Sequence, residues 1–447
     1  MKILIANYRY FVSSGPERYL FNISDRLMAE GHTVMPFSIR YDQNEKTPYA
    51  RYFVSPIGGD SEVFFEQHRK SLSAVYKGLS RLVYSREVEQ AVARMVDETK
   101  PDVAYVLYYL RKLSPSVLVG IKSCDVPIVV RISDYGMFCP EHHLLRNDAP
   151  CTLCQQGSIF NSVKHRCVKG SRILSLLDAT ATTFHRWRGY FDLIDRFVTT
   201  NPFMTEMMVK AGFPADKLTC IPTFANLDKF TPGPAGAGKS YLLYVGRLDK
   251  PKGVHVLIDA MALLKQRGYI VPLKIAGSSH APDYPAALRK QTDDAGLSDS
   301  IEFLGSVPAE QIPALMRGAI ATIMPALWYE NLPNSVVEAF ASGCPVIASD
   351  LGSLSHTVTH EVDGLHFRPG DAADLADKIE RLLTDSALRN RLAEGAYRKA
   401  VTRHSPADHT AKLLELFGDV TSTERHALAS GNPGGRAELR VFNENAG

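Results

Sequence analysis

The sequence lacks the features of a membrane-spanning, nucleic-acid-binding or secreted protein. It has no run of the roughly 18 apolar residues that cross a bilayer. Its net charge of +3 creates no field that would attract nucleic acid. The apolar run that starts at Ile3 is interrupted at once by Asn7, Tyr8 and Arg9, unlike a secretion signal. We therefore expect a globular protein of the cytoplasm with no nucleic-acid partner.

Cysteine is too scarce for a disulfide-stabilised scaffold, with seven residues in a chain of 447. Four of them nevertheless lie close together in the sequence: Cys139, Cys151, Cys154 and Cys167. Four thiolates that include one C-x2-C pair can form a tetrahedral structural zinc site, but buried free thiols or a disulfide fit the pattern as well. A zinc ion here would order an insertion at about 139–170 and take no part in catalysis.

Short β-branched runs alternate with segments of helical period in both halves of the chain, which is typical of parallel sheets covered by helices. A chain of this length exceeds one ordinary core. The sequence therefore predicts an α/β protein of two tandem, doubly wound domains, with ligands bound in the cleft between them. The predicted parts are an N-terminal domain (1–222), a linker (223–240), a C-terminal domain (241–400), a helix packing back toward the N-terminal domain (401–420) and a flexible tail (421–447).

One segment matches the phosphate-binding loop of nucleoside triphosphatases. Residues 233–240 read GPAGAGKS, which fits G-x4-G-K-[ST]. Such a loop binds phosphate when a strand precedes it and a helix follows it, because the N–H groups of the helix then face the ligand. Here a Pro-rich connector precedes it and a strand starting at Tyr241 follows. The order is inverted, so we interpret the segment as part of the linker.

A basic turn follows the first strand of the second half. Residues 245–253 read VGRLDKPKG, in which Gly246 forms the turn and Arg247 and Lys252 flank it. Two cations at the carboxyl end of a strand, beside the start of a helix, suit a diphosphate. Solvated surface charges give the same pattern. Gly277 ends a second strand, either where a backbone approaches a ligand or as an ordinary turn glycine.

Two glutamates enclose a predicted helix start in the segment ENLPNSVVE. Glu330 lies in the loop ahead of the helix, Asn334 or Ser335 caps its start, and Glu338 follows. Backbone N–H groups at that start can bind phosphate oxygens, while the two carboxylates hold hydroxyl groups on either side. The alternative is that Glu338 only complements the helix dipole and Glu330 is an ordinary loop charge.

Together these motifs resemble glycosyltransferase family 4. The resemblance rests on GRL-x3-KG, IAG and ENLPNSVVEAFASGCPVIAS within 241–400, and more loosely on SGPER at 14–18. It implies a retaining glycosyltransferase of GT-B fold, whose two Rossmann-like domains face each other across a cleft. The C-terminal domain of such an enzyme binds a nucleoside-diphosphate sugar. We expect a glycan or lipid-linked acceptor and a role in polysaccharide or glycoconjugate synthesis.

The resemblance also implies roles for individual residues. Arg247 and Lys252 would bind the diphosphate, Glu330 the transferred sugar and Glu338 the ribose, while Gly15 would approach the phosphates from across the cleft. Fixed cations and helix N-termini can stabilise the departing diphosphate, so we expect no metal requirement for catalysis and assign no protein nucleophile. The remaining residues assigned to the donor site are Gly246, Gly277, Asn331, Leu332, Asn334 and Ser335.

The chain departs from the family pattern at two positions. Ser14 precedes Gly15 where relatives often have two glycines, and Ser133 stands before Asp134 where a histidine lines the sugar site in relatives. The second departure keeps open the alternative of a catalytically silent nucleotide-sugar-binding protein. A nucleotide-sugar epimerase of the same fold is a further alternative.

Two stretches, 68–81 and 164–188, combine bases with large apolar residues. They can lie on an anionic membrane surface near a lipid-linked acceptor, which would place the protein at the inner face of the membrane. They can equally form ordinary helices packed on the sheet. The sequence alone leaves both interpretations open.

Overall fold

The structure, a computed structural model, describes residues 1–13, 15–59, 72–233, 239–279 and 283–429. Each half of the chain forms a six-stranded parallel sheet. Both faces of each sheet are covered, since the buried apolar residues fall into two clusters per sheet. This is the predicted fold class, two doubly wound domains in tandem.

The N-terminal sheet has the strand order β2-β1-β3-β4-β7-β8. A two-stranded hairpin, β5-β6, lies outside it in the insertion that follows β4. The strands are β1 (Lys2–Asn7), β2 (Thr33–Phe37), β3 (Val103–Tyr108), β4 (Ile128–Arg131), β5 (Leu145–Arg146), β6 (Ala149–Pro150), β7 (Arg196–Thr199) and β8 (Leu218–Cys220).

Eight helices belong to the part of the N-terminal half that the structure describes, and α5 and α6 lie in the insertion. They are α1 (Gly15–Ala29), α2 (Leu72–Val83), α3 (Arg86–Thr99), α4 (Ser116–Lys122), α5 (Leu153–Gln156), α6 (Asn161–His165), α7 (Arg172–Trp187) and α8 (Pro202–Lys210).

The C-terminal sheet has the order β11-β10-β9-β12-β13-β14. Its strands are β9 (Tyr241–Val245), β10 (Leu273–Ala276), β11 (Ile301–Gly305), β12 (Ala319–Met324), β13 (Val346–Ser349) and β14 (Gly364–Phe367). Its helices are α9 (Val254–Gln266), α10 (Asp283–Asp294), α11 (Ile312–Gly318), α12 (Asn334–Ala341), α13 (Ser353–Thr357), α14 (Ala372–Thr384) and α15 (Ser386–Arg403), and α16 (Pro406–Ala429) follows them.

The apolar runs form strands because their side chains are buried on both faces of the sheet. In β1, Leu4 joins one hydrophobic cluster, whereas Ile3 and Ile5 join the cluster on the opposite face. In β9, Leu242 and Leu243 are divided between two clusters in the same way. This alternation is the two-residue period of a strand covered on both sides.

The chain crosses between the two halves twice. The first crossing leaves β8 and the second joins α15 to α16, and the two are hydrogen-bonded to each other. The Ala225 N–H donates to the His404 carbonyl at 3.1 Å, and the rings of His404 and His409 lie 2.8 and 2.7 Å from the carbonyls of Thr223 and Pro222. Residues 234–238 of the predicted linker, and with them most of the GPAGAGKS segment, lie outside the described residues.

Helix α16 returns to the N-terminal half, where Leu413 and Phe417 are fully buried with Ile3 and Tyr105. It continues to Ala429, so the prediction of a flexible tail from 421 is wrong for 421–429. The reason is that Val420 extends the buried stripe of the helix and no glycine or proline follows before Gly431. Residues 430–447 lie outside the described part. Within the described ranges, no helix is long and apolar enough to span a bilayer.

Candidate active site

The floor of the candidate site is a close contact of backbone at the ends of β9, β10 and β12. The Gly246 N–H donates to the carbonyl of Ala276 at 3.0 Å, and a Cβ on Gly277 would lie 1.7 Å from the Gly246 oxygen. Gly253 has a φ of 74°, and a Cβ there would lie 1.8 Å from the Pro325 oxygen. Only glycine fits at Gly253 and Gly277. The two predicted glycines, Gly246 and Gly277, directly follow β9 and β10 and so lie at the carboxyl edge of the sheet.

A buried ion pair lies above this floor. Lys252 Nζ is 2.6 Å from Glu330 Oε1, and the side chains are only 15% and 7% exposed. The same carboxylate oxygen accepts a hydrogen bond from Trp328 Nε1 at 2.7 Å. The Lys252 ammonium also lies 5.1 Å from the centre of the Trp328 ring. Two predicted catalytic residues therefore form one charge-compensated unit, with an indole that the sequence analysis missed.

Arg247, the third predicted catalytic residue, is separate from this unit. Its guanidinium is 56% exposed and lies 3.1 Å from Asp249. The Tyr244 hydroxyl donates to the Arg247 carbonyl at 2.7 Å, which fixes the backbone but leaves the side chain near solvent. Arg247 is therefore an exposed cation at the mouth of the site, whereas Lys252 is buried in it.

Two helix N-termini meet at the cleft. Helix α12 begins at Asn334 with Pro333 as its N-cap, and helix α1 begins at Gly15. A Cβ on Gly15 would lie 3.1 Å from Asn334 Nδ2, so the two helix starts are in close contact. Because the start of a helix carries the positive end of its dipole, the convergence of these two starts favours an anion. Ser14, the preceding residue, lies outside the described residues.

Two further predicted donor residues pack inside the C-terminal domain. The Ser335 hydroxyl points to Met324 Sδ at 3.6 Å, which is at the long end of a weak contact. Leu332 packs against the hydrophobic cluster that includes Val336 and Phe340. In this structure the side chains of these residues support the loop and the helix.

Asn331 binds the opposite domain. Its amide donates to the Ser133 carbonyl at 2.9 Å, and its Oδ1 accepts a hydrogen bond from the Thr200 hydroxyl. Asn201 Nδ2 donates to the Asn331 carbonyl, and the Tyr135 hydroxyl donates to the Glu330 carbonyl at 3.2 Å. The loop that carries Glu330 is thus held from across the cleft.

Glu338 faces the start of α1. Its Oε1 lies 3.7 Å from Arg18 Nη1, and its side chain is 14% exposed. Burial raises the pKa of Glu338, and the Arg18 guanidinium partly offsets this rise. Arg18 was not assigned as a site residue. The available signal was its position one helical turn after Gly15, which places it on the same side of α1.

A cavity of about 590 Å³ opens beside these residues, between the two domains. Arg18, Asn334 and Glu338 line it, together with Glu310, which precedes α11, and Arg317 of α11. Its volume lies within the range that holds small ligands and cofactors.

The insertion contributes two histidine rings to the candidate site. The His143 ring lies 4.9 Å from the Trp328 ring, and the Glu141 carboxylate raises the pKa of His143 against the effect of burial. His142 Nδ1 lies 3.2 Å from Asp134 Oδ2. Although burial opposes it, the His142 ring holds the pKa of Asp134 well below its usual range. Two imidazoles of the insertion therefore lie at the cleft, one beside Asp134 and the other against Trp328 of the C-terminal domain.

The cysteines of the insertion carry free thiols. Burial raises the pKa of Cys139 to about 12 and that of Cys154 to about 11. Cys154 Sγ lies 3.6 Å from the Ile159 carbonyl. Among the described residues, no group of three or more His, Cys, Asp or Glu side chains is placed to hold a metal ion. A zinc site formed by Cys139, Cys151, Cys154 and Cys167 stays a prediction.

Comparison with known proteins gives one family and a consistent fold. The family model for glycosyl transferases group 1 matches residues 228–399. The alpha-D-kanosaminyltransferase of Streptomyces kanamyceticus is 30% identical over 415 residues, which cover 89% of this chain and 95% of that protein. The D-inositol 3-phosphate glycosyltransferase of Corynebacterium urealyticum is 28% identical over 247 residues. The latter match spans 51% of this chain and 58% of the relative's length.

Solved structures of similar shape extend over nearly the whole chain. The sucrose-phosphate synthase of Thermosynechococcus elongatus has a TM-score of 0.69 at 19% identity and covers 94% of this chain and 99% of its own. The Anabaena protein HepE, solved in complex with UDP, has a TM-score of 0.66 at 18% identity, with 94% and 100% covered. At this identity the likeness concerns the fold, which is GT-B. By its sequence and its fold, the chain belongs to the group 1 glycosyl transferases.

Proposed function

We propose that this protein is a retaining glycosyltransferase of family 4 that transfers a sugar from a nucleoside-diphosphate sugar to an acceptor. The observation that carries the proposal is the buried Lys252–Glu330 pair beside two converging helix N-termini. A charge pair so well shielded from water is costly to form. Its position at the floor of the cleft, next to an anion-favouring site, is explained if a charged ligand separates the two groups.

The donor fits the site in three parts. The diphosphate lies at the starts of α1 and α12, where Gly15 leaves room and Lys252 can turn from Glu330 to a phosphate oxygen. The nucleoside occupies the neighbouring cavity, with Glu338 at the ribose hydroxyls. The binding of UDP by the HepE protein supports a nucleotide donor.

Transfer follows from the charges that form when the donor breaks. Cleavage of the bond between the anomeric carbon and the phosphate oxygen leaves positive charge on the sugar and negative charge on the diphosphate. Lys252, Arg247 and the helix N-termini stabilise the diphosphate, and Glu330 holds the sugar. The acceptor hydroxyl attacks from the same face and its proton passes to the leaving phosphate, so neither a protein nucleophile nor a metal is needed.

The acceptor side is the N-terminal domain with its insertion. We propose a glycan or lipid-linked acceptor, within polysaccharide or glycoconjugate synthesis. His142 and His143 border the sugar position, and their imidazole rings replace the histidine that relatives have where Ser133 stands.

Calorimetric titration with nucleoside diphosphates and their sugar conjugates tests the donor site. We expect wild type to bind one nucleotide, and Lys252→Ala to lose most of that affinity and about 10²–10³ in turnover. Lys250→Ala is the matched control, since Lys250 lies two residues away, is exposed and pairs with Asp148 at 2.7 Å. Equal binding by the wild type and Lys252→Ala proteins would refute the assignment.

Product analysis separates the proposal from its alternatives. Net transfer of sugar from donor to acceptor supports it. An isomerised donor would identify an epimerase, and donor binding without turnover would identify a silent binding protein.

A further inference from the structure

Helix α7 exposes most of its large apolar residues, whereas Phe184 packs partly against the N-terminal core. Its buried residues are small, polar or charged and include Ser175, Asp178, Thr182 and His185. The exposed residues include Ile173, which is 72% exposed. This is the reverse of a helix that packs on a sheet by its apolar side, so the ordinary-helix interpretation of this stretch does not account for it.

The outward side of α7 continues onto α2. The two helices are in contact, and Tyr76 of α2 is 75% exposed. We call this surface the α2/α7 face. Its large exposed residues are Val75, Tyr76, Leu79, Ile173, Leu176, Leu177 and Trp187.

The chain around this face is basic. No Asp or Glu occurs between Asp148 and Asp178. In that interval the segment leading into α7 exposes four bases: Lys164, Arg166, Lys169 and Arg172. Trp187 ends the helix between Arg186 and Arg188. An amphipathic tryptophan flanked by arginines suits the boundary between lipid headgroups and acyl chains.

We propose that the α2/α7 face docks on an anionic lipid bilayer. The apolar side chains enter the acyl boundary while the bases contact anionic headgroups. Charge complementarity favours lipid over a second copy of this chain, because two-fold pairing of the same face would bring the four bases near their own copies.

The docked face lies one helix away from the cleft. Asp178, on the buried side of α7, accepts a hydrogen bond from Arg111 Nη2 at 2.7 Å. Arg111 Nη1 lies 3.1 Å from His142 Nδ1, and the next residue, His143, packs on Trp328. Docking therefore holds the acceptor side of the cleft close to the bilayer, within reach of an acceptor carried by lipid.

Co-sedimentation of the full chain with vesicles tests the proposal without any sugar substrate, so its outcome is independent of the transfer reaction. We expect binding to phosphatidylcholine vesicles that contain phosphatidylglycerol, and a loss of at least tenfold in the variant Ile173→Ser/Trp187→Ser. The control is Ile270→Ser in the C-terminal domain, where Ile270 is 80% exposed, and it should bind like wild type. Failure of wild type to bind these vesicles would overturn the proposal.

The charge contribution has its own test. The double variant Lys164→Glu/Arg172→Glu should bind vesicles more weakly, by at least fivefold for each substituted position. Added salt should also weaken the binding of the wild-type protein. Arg398→Glu, an exposed base of α15, serves as the control. Equal binding to vesicles of phosphatidylcholine alone would overturn the role of the bases.

Trp187 is a built-in reporter, because the chain has only two tryptophans. In Trp328→Phe protein the emission of Trp187 should shift to shorter wavelength when anionic vesicles are added. An unchanged spectrum would contradict insertion. The alternative is that the face pairs with itself. In that case the emission would shift with protein concentration alone, and light scattering would detect a dimer that is absent in Ile173→Ser. This result would overturn the lipid assignment.

Discussion

Lys252 and Glu330 are opposite charges held together in a place that is largely withdrawn from water. Trp328 shares the carboxylate oxygen and covers the ammonium, so neither charge is left without a partner. In this state the charged groups of the site are paired with each other. In the proposed donor complex a bound diphosphate would compete with Glu330 for the ammonium, and the released carboxylate would then hold the sugar.

Replacing Glu330 with glutamine separates binding from transfer. Gln keeps an acceptor for the Trp328 N–H but no longer holds the Lys252 ammonium by charge. We expect nucleoside diphosphate affinity to stay equal or to rise, while turnover falls by about 10² or more. Calorimetry and a transfer assay on the same preparation measure both. A parallel loss of affinity and turnover would indicate that Glu330 serves the nucleotide instead of the sugar.

Glu338 links the site to the pH dependence of stability. Because burial raises its pKa in the folded state, the ionised form is disfavoured there, and stability falls as the pH rises above the ordinary glutamate range. We expect Glu338→Gln to raise the Tm at pH 7 while it weakens nucleotide binding. The gain should disappear when the pH drops below the usual glutamate pKa, where both proteins are neutral at this position. Thermal scans across pH, compared with Glu310→Gln at another residue that lines the cavity, measure this gain.

At the scale of single elements, sequence periodicity is sufficient for the buried apolar strands of the two sheets. Apolar runs such as the one at β12 are buried at every position, and this gives the strongest signal a chain can carry. The strand β14 has a weak sequence signal because its four residues begin with glycine and include a histidine. Arg18, Tyr135, Trp328 and His143 were missed for another reason. Their roles depend on which residues meet across the cleft, and that is set by packing between elements distant in sequence.

The turn before α9 leaves no room for a side chain at Gly253, which a substitution can test. Gly253→Ala places a Cβ 1.8 Å from the Pro325 oxygen and at a φ of 74°, so both collision and strain oppose it. Gly268 has a similar φ of 86° with no atom within 4 Å of a Cβ. We expect Gly268→Ala to cost about 1–2 kcal/mol and Gly253→Ala clearly more. Denaturant unfolding compares them, and equal costs would mean that the turn moves away to make room.

At the scale of the whole molecule, the cleft is bridged by side-chain hydrogen bonds. Asn331, predicted from the sequence to contact the donor, binds Ser133, Thr200 and Asn201 of the opposite domain in this structure. Family motifs identify which residues matter at this position. They do not reveal that one of them acts between domains, because that depends on the relative placement of the two sheets.

Asn331→Ala should therefore loosen the closed arrangement. Since each hydrogen bond contributes about 1 kcal/mol, we expect the donor KM to rise by tenfold or more and the radius of gyration in small-angle scattering to increase. Asn161→Ala, which removes an asparagine contact within one domain, is the control. A higher KM with an unchanged radius would assign Asn331 to the ligand after all.

Because α16 packs on the N-terminal sheet, the N-terminal domain needs the C-terminal end of the described chain to complete its core. Leu413 and Phe417 complete a hydrophobic cluster whose other members, such as Ile3 and Tyr105, leave the ribosome first. The core of the N-terminal domain is therefore incomplete until α16 has been synthesised. The C-terminal sheet is built from the continuous stretch 241–367 and can fold before the N-terminal domain does. We expect a released chain truncated after residue 405 to hold a protease-resistant second domain and a first domain that is still open to cleavage.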